Sequence, residues 1–319
     1  MSKHGEQEGS CFCVIGAGII GSWTALHLAQ SGIRTVLVEQ FPLPHTRGSS
    51  HGGSRVIRLM GDDKLAALEY SYEKWRELEK ISGEQLMATT GLINLGPPGD
   101  RYLHKYMKIM REGGYSTQWL DEEQLKARYP FLKYPGLGAA TDPKGAVLLA
   151  HKCVSGVQRM FKRYGGKILT GKVEEIIPKS RSVCIRVRVN TTSQIRQLEF
   201  SRVAVCAGPW SSKLLPKYAH LLSTQRIPVT YWKELNEPYR HSVASGFPVI
   251  FNARLANVYA VPSFEYPGLV KVLTHSGPAA TPEQRDCVDL DASVEYLRFA
   301  SFLSCKLPHW QDWQHPHNP

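Results

Sequence analysis

Gly16-Ala17-Gly18-Ile19-Ile20-Gly21 sets three glycines at a spacing with a chemical use. The first permits a tight turn, the second lets backbone N–H groups approach a pyrophosphate, and the third lets a helix pack close to a strand. The dipole of that helix then stabilises the phosphate charge. Glu39, eighteen positions past Gly21, can accept hydrogen bonds from an adenosine ribose, and its charge disfavours a 2′-phosphate, which argues against NADP. A second stretch, Arg47-Gly48-Ser49-Ser50-His51-Gly52-Gly53-Ser54-Arg55-Val56-Ile57-Arg58, combines small residues, hydroxyls and fixed positive charge. Such a chain can run against a flat ring or a phosphate. Alone it reads equally well as a solvated loop; following the glycine motif and Glu39 it fits a flavin better than a nicotinamide. Far downstream, Lys271 and His275 lie four apart in a strand-like run, which puts both on one face.

The elements that must position these groups are legible nearby. Cys11–Ile15 reads as a short apolar strand, Ile19–Gln30 as an amphipathic helix and Thr35–Glu39 as a second strand, together a βαβ unit. Phe41–Ser54 is too long for a simple connection. Leu65, Leu68, Tyr72, Trp75 and Leu78 recur at helical spacing behind Asp62 and Asp63, which can cap, and that stripe reads as core. A helix from His151 to Arg163 is closed by Gly165 and Gly166. Ser182–Asn190 and Gln194–Phe200 alternate as a hairpin, Arg202–Ala207 reads as a buried strand, and Pro228–Leu273 offers strands suited to an antiparallel sheet. Ser293–Cys305 has helical spacing, whereas Pro308–Pro319 resembles neither strand nor helix.

The 319 residues suffice for a cofactor unit plus a substrate unit, and 42% hydrophobic with 21% charged residues is ordinary for a protein with a large core. No run is long and apolar enough for a membrane helix, and the polar start lacks the apolar core of a signal peptide. The seven cysteines show no metal-ligand spacing, so free thiols and no metal are expected. A net charge of +11 is spread thinly rather than massed, which points to a solvated surface and not to nucleic acid.

Val14 through Arg58, with Phe41-Pro42-Leu43-Pro44-His45-Thr46, closely resembles the sarcosine oxidase family, in particular the peroxisomal sarcosine and pipecolate oxidases of animals. The likeness continues through Thr90-Gly91-Leu92, Ala207-Gly208-Pro209-Trp210, Glu265-Tyr266-Pro267-Gly268-Leu269 and Pro282-Glu283-Gln284-Arg285-Asp286-Cys287, to about Pro308. The resemblance implies an α/β fold: a Rossmann-type FAD-binding domain, incomplete at the C-terminus, with a mixed-sheet substrate domain. The expected division is 1–60 and 146–220 for FAD, 61–145 as a mixed cap and substrate region, 221–307 for substrate, and 308–319 as a divergent tail. It implies FAD-dependent oxidation of a secondary amino acid to its imine, with hydrogen peroxide as co-product, by a monomer acting on a small substrate and oxygen in peroxisomes.

By the same resemblance Gly16, Gly18, Gly21 and Glu39 hold the ADP moiety. Arg47, Ser49, Ser50, His51 and Gly52, with Gly208 and Trp210, line the cofactor. Val173 lies beside the adenine, its plain alternative being strand core. Arg58 matches the arginine that binds the substrate carboxylate, a role suited to a planar, always-charged side chain. Arg55 matches the arginine beside the flavin, Lys271 the lysine that activates oxygen through its positive charge, and Tyr259 and His275 side chains that shape the amine pocket.

Two features depart from the family. Its flavin-linking cysteine and its GFSGHGFK segment are not found, which implies non-covalent FAD, an unpaired edge on the FAD sheet, and a rival reading as a truncated, non-catalytic relative. A second rival, an NAD-dependent dehydrogenase, is disfavoured by the Arg47–Arg58 loop. Cys305 reads as a core thiol, and His317-Asn318-Pro319 is not a peroxisomal address, so a cytoplasmic location stays open. Gly61 stands where relatives carry an aromatic residue, which implies an altered pocket.

Overall fold

The computed structural model describes residues 11–61, 64–132, 134–234, 241–252, 258–285 and 310–313. Among the described residues, the chain begins with β1 (Cys11–Ile15), α1 (Ile19–Gln30) and β2 (Arg34–Glu39). It continues through β3 (Ser54–Ile57), α2 (Leu65–Ser82), β4 (Met87–Thr89), β5 (Leu92–Gly96), α3 (Arg101–Glu112), β6 (Trp119–Leu120), α4 (Glu122–Arg128), β7 (Gly138–Asp142) and β8 (Ala146–Leu149). Next come α5 (Ala150–Arg163), β9 (Lys167–Pro178), β10 (Val183–Val189), β11 (Ile195–Phe200), β12 (Arg202–Val205) and α6 (Ser211–Leu214). It closes with β13 (Val229–Glu234), β14 (Val249–Asn252), β15 (Val258–Pro262), β16 (Leu269–Thr274) and β17 (Trp310–Trp313). Contacts divide it into two units: residues 1–52 with 150–224, and residues 53–149 with 225–319. No described helix is long and apolar enough to cross a membrane, and no described cluster of side chains could hold a metal ion.

Unit 1 is one six-stranded sheet in the order β11-β10-β9-β2-β1-β12. β12, β1, β2 and β9 run parallel, and β9, β10 and β11 form an antiparallel extension. Parallel neighbours need crossovers, and α1 supplies the one from β1 to β2. Cys13, Ile15, Val38, Val173, Ile185, Val187 and Phe200 form the core on one side of this sheet. β12 is an edge of the sheet among the described residues.

Unit 2 holds an eight-stranded mixed sheet, β17-β13-β16-β15-β14-β5-β7-β6, and a small sheet, β3-β8-β4. Period-two alternation gives the large sheet two distinct faces. Ile250, Val258, Ala260, Val270, Val272 and Trp232 pack into the main core, with Ile93, Leu95 and Phe247. The alternate positions face the other way and carry the chemistry described below.

Two expectations change. Residues 53–60 belong to unit 2 and not to the FAD unit, because β3 pairs with β8 rather than with any strand of unit 1. Within the supposed tail, Trp310–Trp313 is a strand whose backbone pairs antiparallel with β13, so pairing there overrides a proline-rich neighbourhood. α2 starts at Leu65, and Lys64 before it gives no side-chain cap; Asp62 and Asp63, expected to cap, lie outside the described residues. The helix expected over Ser293–Cys305, with Cys305, also lies outside them.

Candidate active site

In unit 1 the site is made largely of main chain. Gly16 sits at φ +100°, and a Cβ there would stand 2.4 Å from the Cys206 carbonyl oxygen; one on Gly21 would stand 1.9 Å from the Gly16 oxygen. Any side chain at either place would push the turn, the sheet or the helix apart. α1 therefore begins against the end of β1, with Gly18 as its extended first residue and no side chain capping it at that position. Ser50 reaches the same helix end, where its Oγ accepts from the Ile19 N–H at 3.0 Å. This glycine cradle at an N-terminus fits the pyrophosphate of a dinucleotide.

Glu39 ends β2 nearly fully buried, its carboxylate accepting from the N–H groups of Ala17 at 2.7 Å and Phe41 at 3.0 Å, with His45 Nε2 at 3.5 Å. Burial pushes this carboxyl up, but the bonds from His45, Ala17 and Phe41 outweigh it and hold the group below the ordinary carboxylate range. An ionised acid at this point suits ribose hydroxyls and repels a 2′-phosphate. Phe41 gathers further candidates: the Trp210 ring at 5.6 Å, His45 at 5.2 Å and the Arg47 guanidinium 5.8 Å from its centroid. His51 donates its N–H to Gly48, and Gly52 and Gly208 both adopt positive φ. The Val173 side chain packs into the unit 1 core, which is the plain strand-core alternative.

All five candidate catalytic residues fall in unit 2. Lys271 pairs across the sheet with Val261 on one side and Tyr231 on the other, and Tyr259 pairs with Phe251 and Leu273. Cross-strand partners share a face, so Phe251, Tyr259, Tyr231 and Lys271 stand together, opposite the apolar core. β16 stops at Thr274, one residue short of the expected strand, yet His275 still lies on this face. Its ring is 4.5 Å from Tyr259 and 5.3 Å from Phe251, and those two stack at 5.2 Å. The Arg58 guanidinium sits 4.4 Å above the Phe251 centroid, a cation–π contact. Burial and the nearby Arg58 push the His275 imidazole down, which keeps it neutral at neutral pH. Gly61, at φ +104°, leaves Arg58 its room, since a Cβ there would lie 2.8 Å from Arg58 Nη1.

Arg55 is exposed and donates from Nη1 to the Ser54 carbonyl at 2.7 Å. Lys271 is only 4% exposed and donates to the same carbonyl at 2.9 Å and to Ser54 Oγ at 3.2 Å. Burial, then Arg55, lower this ammonium to about 8, against the pull of Glu265 at 3.9 Å. Ser54, Tyr231 and Glu265 were not singled out from the sequence as site residues. Their signal was partial: Ser54 lies in the Arg47–Arg58 stretch, and Glu265 opens a Glu-Tyr-Pro-Gly run that reads as a turn.

The profile of the FAD dependent oxidoreductase family matches residues 12–292. The chain is 39% identical over 304 residues to a peroxisomal sarcosine oxidase of Homo sapiens, spanning 92% of this chain and 76% of that protein. Among solved structures, the open form of NikD, an amino acid oxidase of nikkomycin biosynthesis, superposes with a TM-score of 0.73 at 16% identity, covering 97% of this chain and 80% of the other. L-proline dehydrogenase of P. horikoshii superposes equally well, at TM-score 0.73 and 16% identity, with 96% and 80% covered. These two likenesses speak for the fold alone.

Proposed function

The chain belongs to the FAD dependent oxidoreductase family, and from that premise we propose that it oxidises a secondary amino acid, of the sarcosine or L-pipecolate kind, to its imine with release of hydrogen peroxide. The observation that carries this reading is the face of unit 2 that Arg58, Tyr259, His275 and Lys271 share. A guanidinium over an aromatic wall suits a small carboxylate with an apolar body. FAD, when bound, would supply the redox chemistry, as acceptor of a hydride equivalent and donor of electrons to oxygen.

This chain's residues supply the rest. Arg58 pairs with the substrate carboxylate and fixes which C–H bond is presented. Neutral His275 and the Tyr259 ring pack against the amine without adding a positive charge that would repel it. Protonated Lys271, with Arg55 beside it, offers positive charge where oxygen becomes anionic. Gly16, Gly18, Gly21 and Glu39 hold the ADP part, and Arg47, Ser49, Ser50, His51, Gly52, Gly208 and Trp210 line the cofactor. Val173 contributes backbone only, its side chain being in the core.

We hold the FAD to be non-covalent. Cys13, Cys153 and Cys184 are buried, and burial raises the Cys13 thiol to about 12 and Cys206 above its usual range, so neither of these two is a thiolate poised for attack. We also place the protein in peroxisomes as a monomer, in line with relatives called peroxisomal sarcosine oxidase and monomeric sarcosine oxidase. That the matched relatives are oxidases favours catalysis over the non-catalytic alternative.

The test is the visible spectrum of the purified chain before and after acid precipitation, then with sarcosine or L-pipecolate added anaerobically. Yellow colour that leaves with the supernatant and bleaches with substrate is the expected result. A colourless protein, or a flavin that neither substrate bleaches, overturns the reading.

A further inference from the structure

Glu265 lies in the turn between β15 and β16, where an acid would ordinarily be solvated. Instead its side chain is 13% exposed and held from three directions. Tyr231 on β13 donates its hydroxyl to Oε1 at 2.7 Å, Ser54 on β3 donates its hydroxyl to the same oxygen at 3.1 Å, and the Phe264 N–H reaches Oε2 at 3.2 Å. Gly53 makes room for it: a Cβ there would stand 2.2 to 2.5 Å from Glu265 Cδ, Cγ and Cβ. The seat thus combines a hydroxyl from one strand, a hydroxyl from another and a missing side chain more than two hundred positions away.

Lys271 occupies the other side of the same serine. Its ammonium donates to Ser54 Oγ, whose own proton goes to Glu265, so charge is linked ammonium to hydroxyl to carboxylate as well as directly across 3.9 Å. The groups facing Lys271 are Arg55 from β3, Tyr231 from β13, Glu265 from the turn and, beyond Arg55, Tyr259 from β15. Among these charged groups Glu265 is the only negative one. Without it the buried ammonium, still donating to Ser54, would face a guanidinium and two phenols, and like charges at low polarity drive the lysine to lose its proton.

We propose that Glu265 is a positioning residue which, seated over Gly53 and clamped by Tyr231 and Ser54, keeps the buried Lys271 charged and aimed. Glu265 touches neither substrate nor oxygen; it acts through Lys271. The consequence for turnover rests on the oxidase reading above, but the protonation of Lys271 does not.

The test therefore reads Lys271 itself. The full chain is labelled with 13C-lysine, the Lys271 Cε resonance is assigned by its loss in Lys271→Met, and its titration midpoint is followed in the parent and in Glu265→Gln. The midpoint is expected to fall by about one pH unit, a tenfold loss of proton affinity. An unmoved midpoint overturns the proposal. If the Gln variant does not fold, Gly53→Ala decides. Its backbone φ is ordinary, and the added methyl displaces Glu265 while keeping its charge, so a drop of about half a unit is expected and no drop overturns the proposal. In the FAD-loaded protein, anaerobic bleaching by substrate should stay within about twofold of the parent, while reoxidation by oxygen loses its alkaline limb about one unit earlier. A parent chain whose flavin does not bleach defeats the oxidase reading, and the Lys271 titration still judges Glu265.

Discussion

On the proposed reading, unit 1 works by close approach of its backbone, whereas unit 2 works through charged side chains. Gly16, Gly18 and Gly21 matter because they lack a Cβ, and the acid of that site, Glu39, is fixed by two backbone N–H groups. Lys271, Arg55, Arg58 and Glu265 matter because of the atoms they carry, and the sheet beneath them is a pegboard for side chains. A backbone site tolerates no added volume. A side-chain site tolerates changes of shape but is sensitive to charge.

The most severe test of that contrast is Gly21→Val. Its Cβ would fall 1.9 Å from the Gly16 oxygen, a backbone atom that cannot swing aside. Destabilisation on the order of 3 kcal/mol is expected, with loss of flavin colour, read by thermal unfolding and absorbance. A stable yellow variant would mean that the turn is looser than described.

Lys271→Met changes charge at nearly constant volume. Reoxidation by oxygen should slow by about 10² to 10³, comparable with removing one charge-stabilising donor, while anaerobic reduction by substrate stays within about twofold. Stopped-flow traces in which both half-reactions fall together would break the division of roles. Arg58→Lys keeps charge but loses the flat fork over Phe251; substrate affinity should weaken about thirtyfold in anaerobic titration, roughly 2 kcal/mol.

The smallest effect comes from pH. Reoxidation should decline as pH rises through about 8, where Lys271 loses its proton. Stability moves the opposite way. The ammonium is held below its unfolded value of 10.5, so the unfolded chain binds more protons between about 8 and 10.5, and this residue's contribution to stability rises across that window. Denaturant midpoints of the parent and of Lys271→Met between these pH values should converge; parallel lines would contradict the buried, lowered ammonium.

The same contrast governs what could be read from the sequence. The βαβ unit is local: spacing of glycines, a strand before, a helix after and an acid at a fixed distance. Lys271 and His275 were visible as a spaced pair. Glu265 was not, because its meaning comes from Gly53 and Ser54, with the serine 211 positions away, and no period links them. Trp310–Trp313 escaped for a related reason: its strand character is conferred by β13, while its own neighbours are prolines. The boundary at Gly52 was missed because the Arg47–Arg58 stretch looks continuous in composition, and only pairing of Ser54–Ile57 with Ala146–Leu149 divides it.

The order of strands also bears on how the protein is made. β1 lies between two strands of its sheet, yet β12, its partner on one side, follows 190 positions later, from Cys13 to Val203. At the ribosome's pace of about 5 to 20 residues per second, that is roughly 10 to 40 s during which the emerging β1 has its β2 partner but offers an open backbone on the other flank. Unit 1 is thus started first and closed late, with the segment from 53 to 149 emerging in between. The nascent chain must shelter that flank until β12 arrives, and a chaperone that binds extended apolar backbone would find its target there, at Cys11–Ile15.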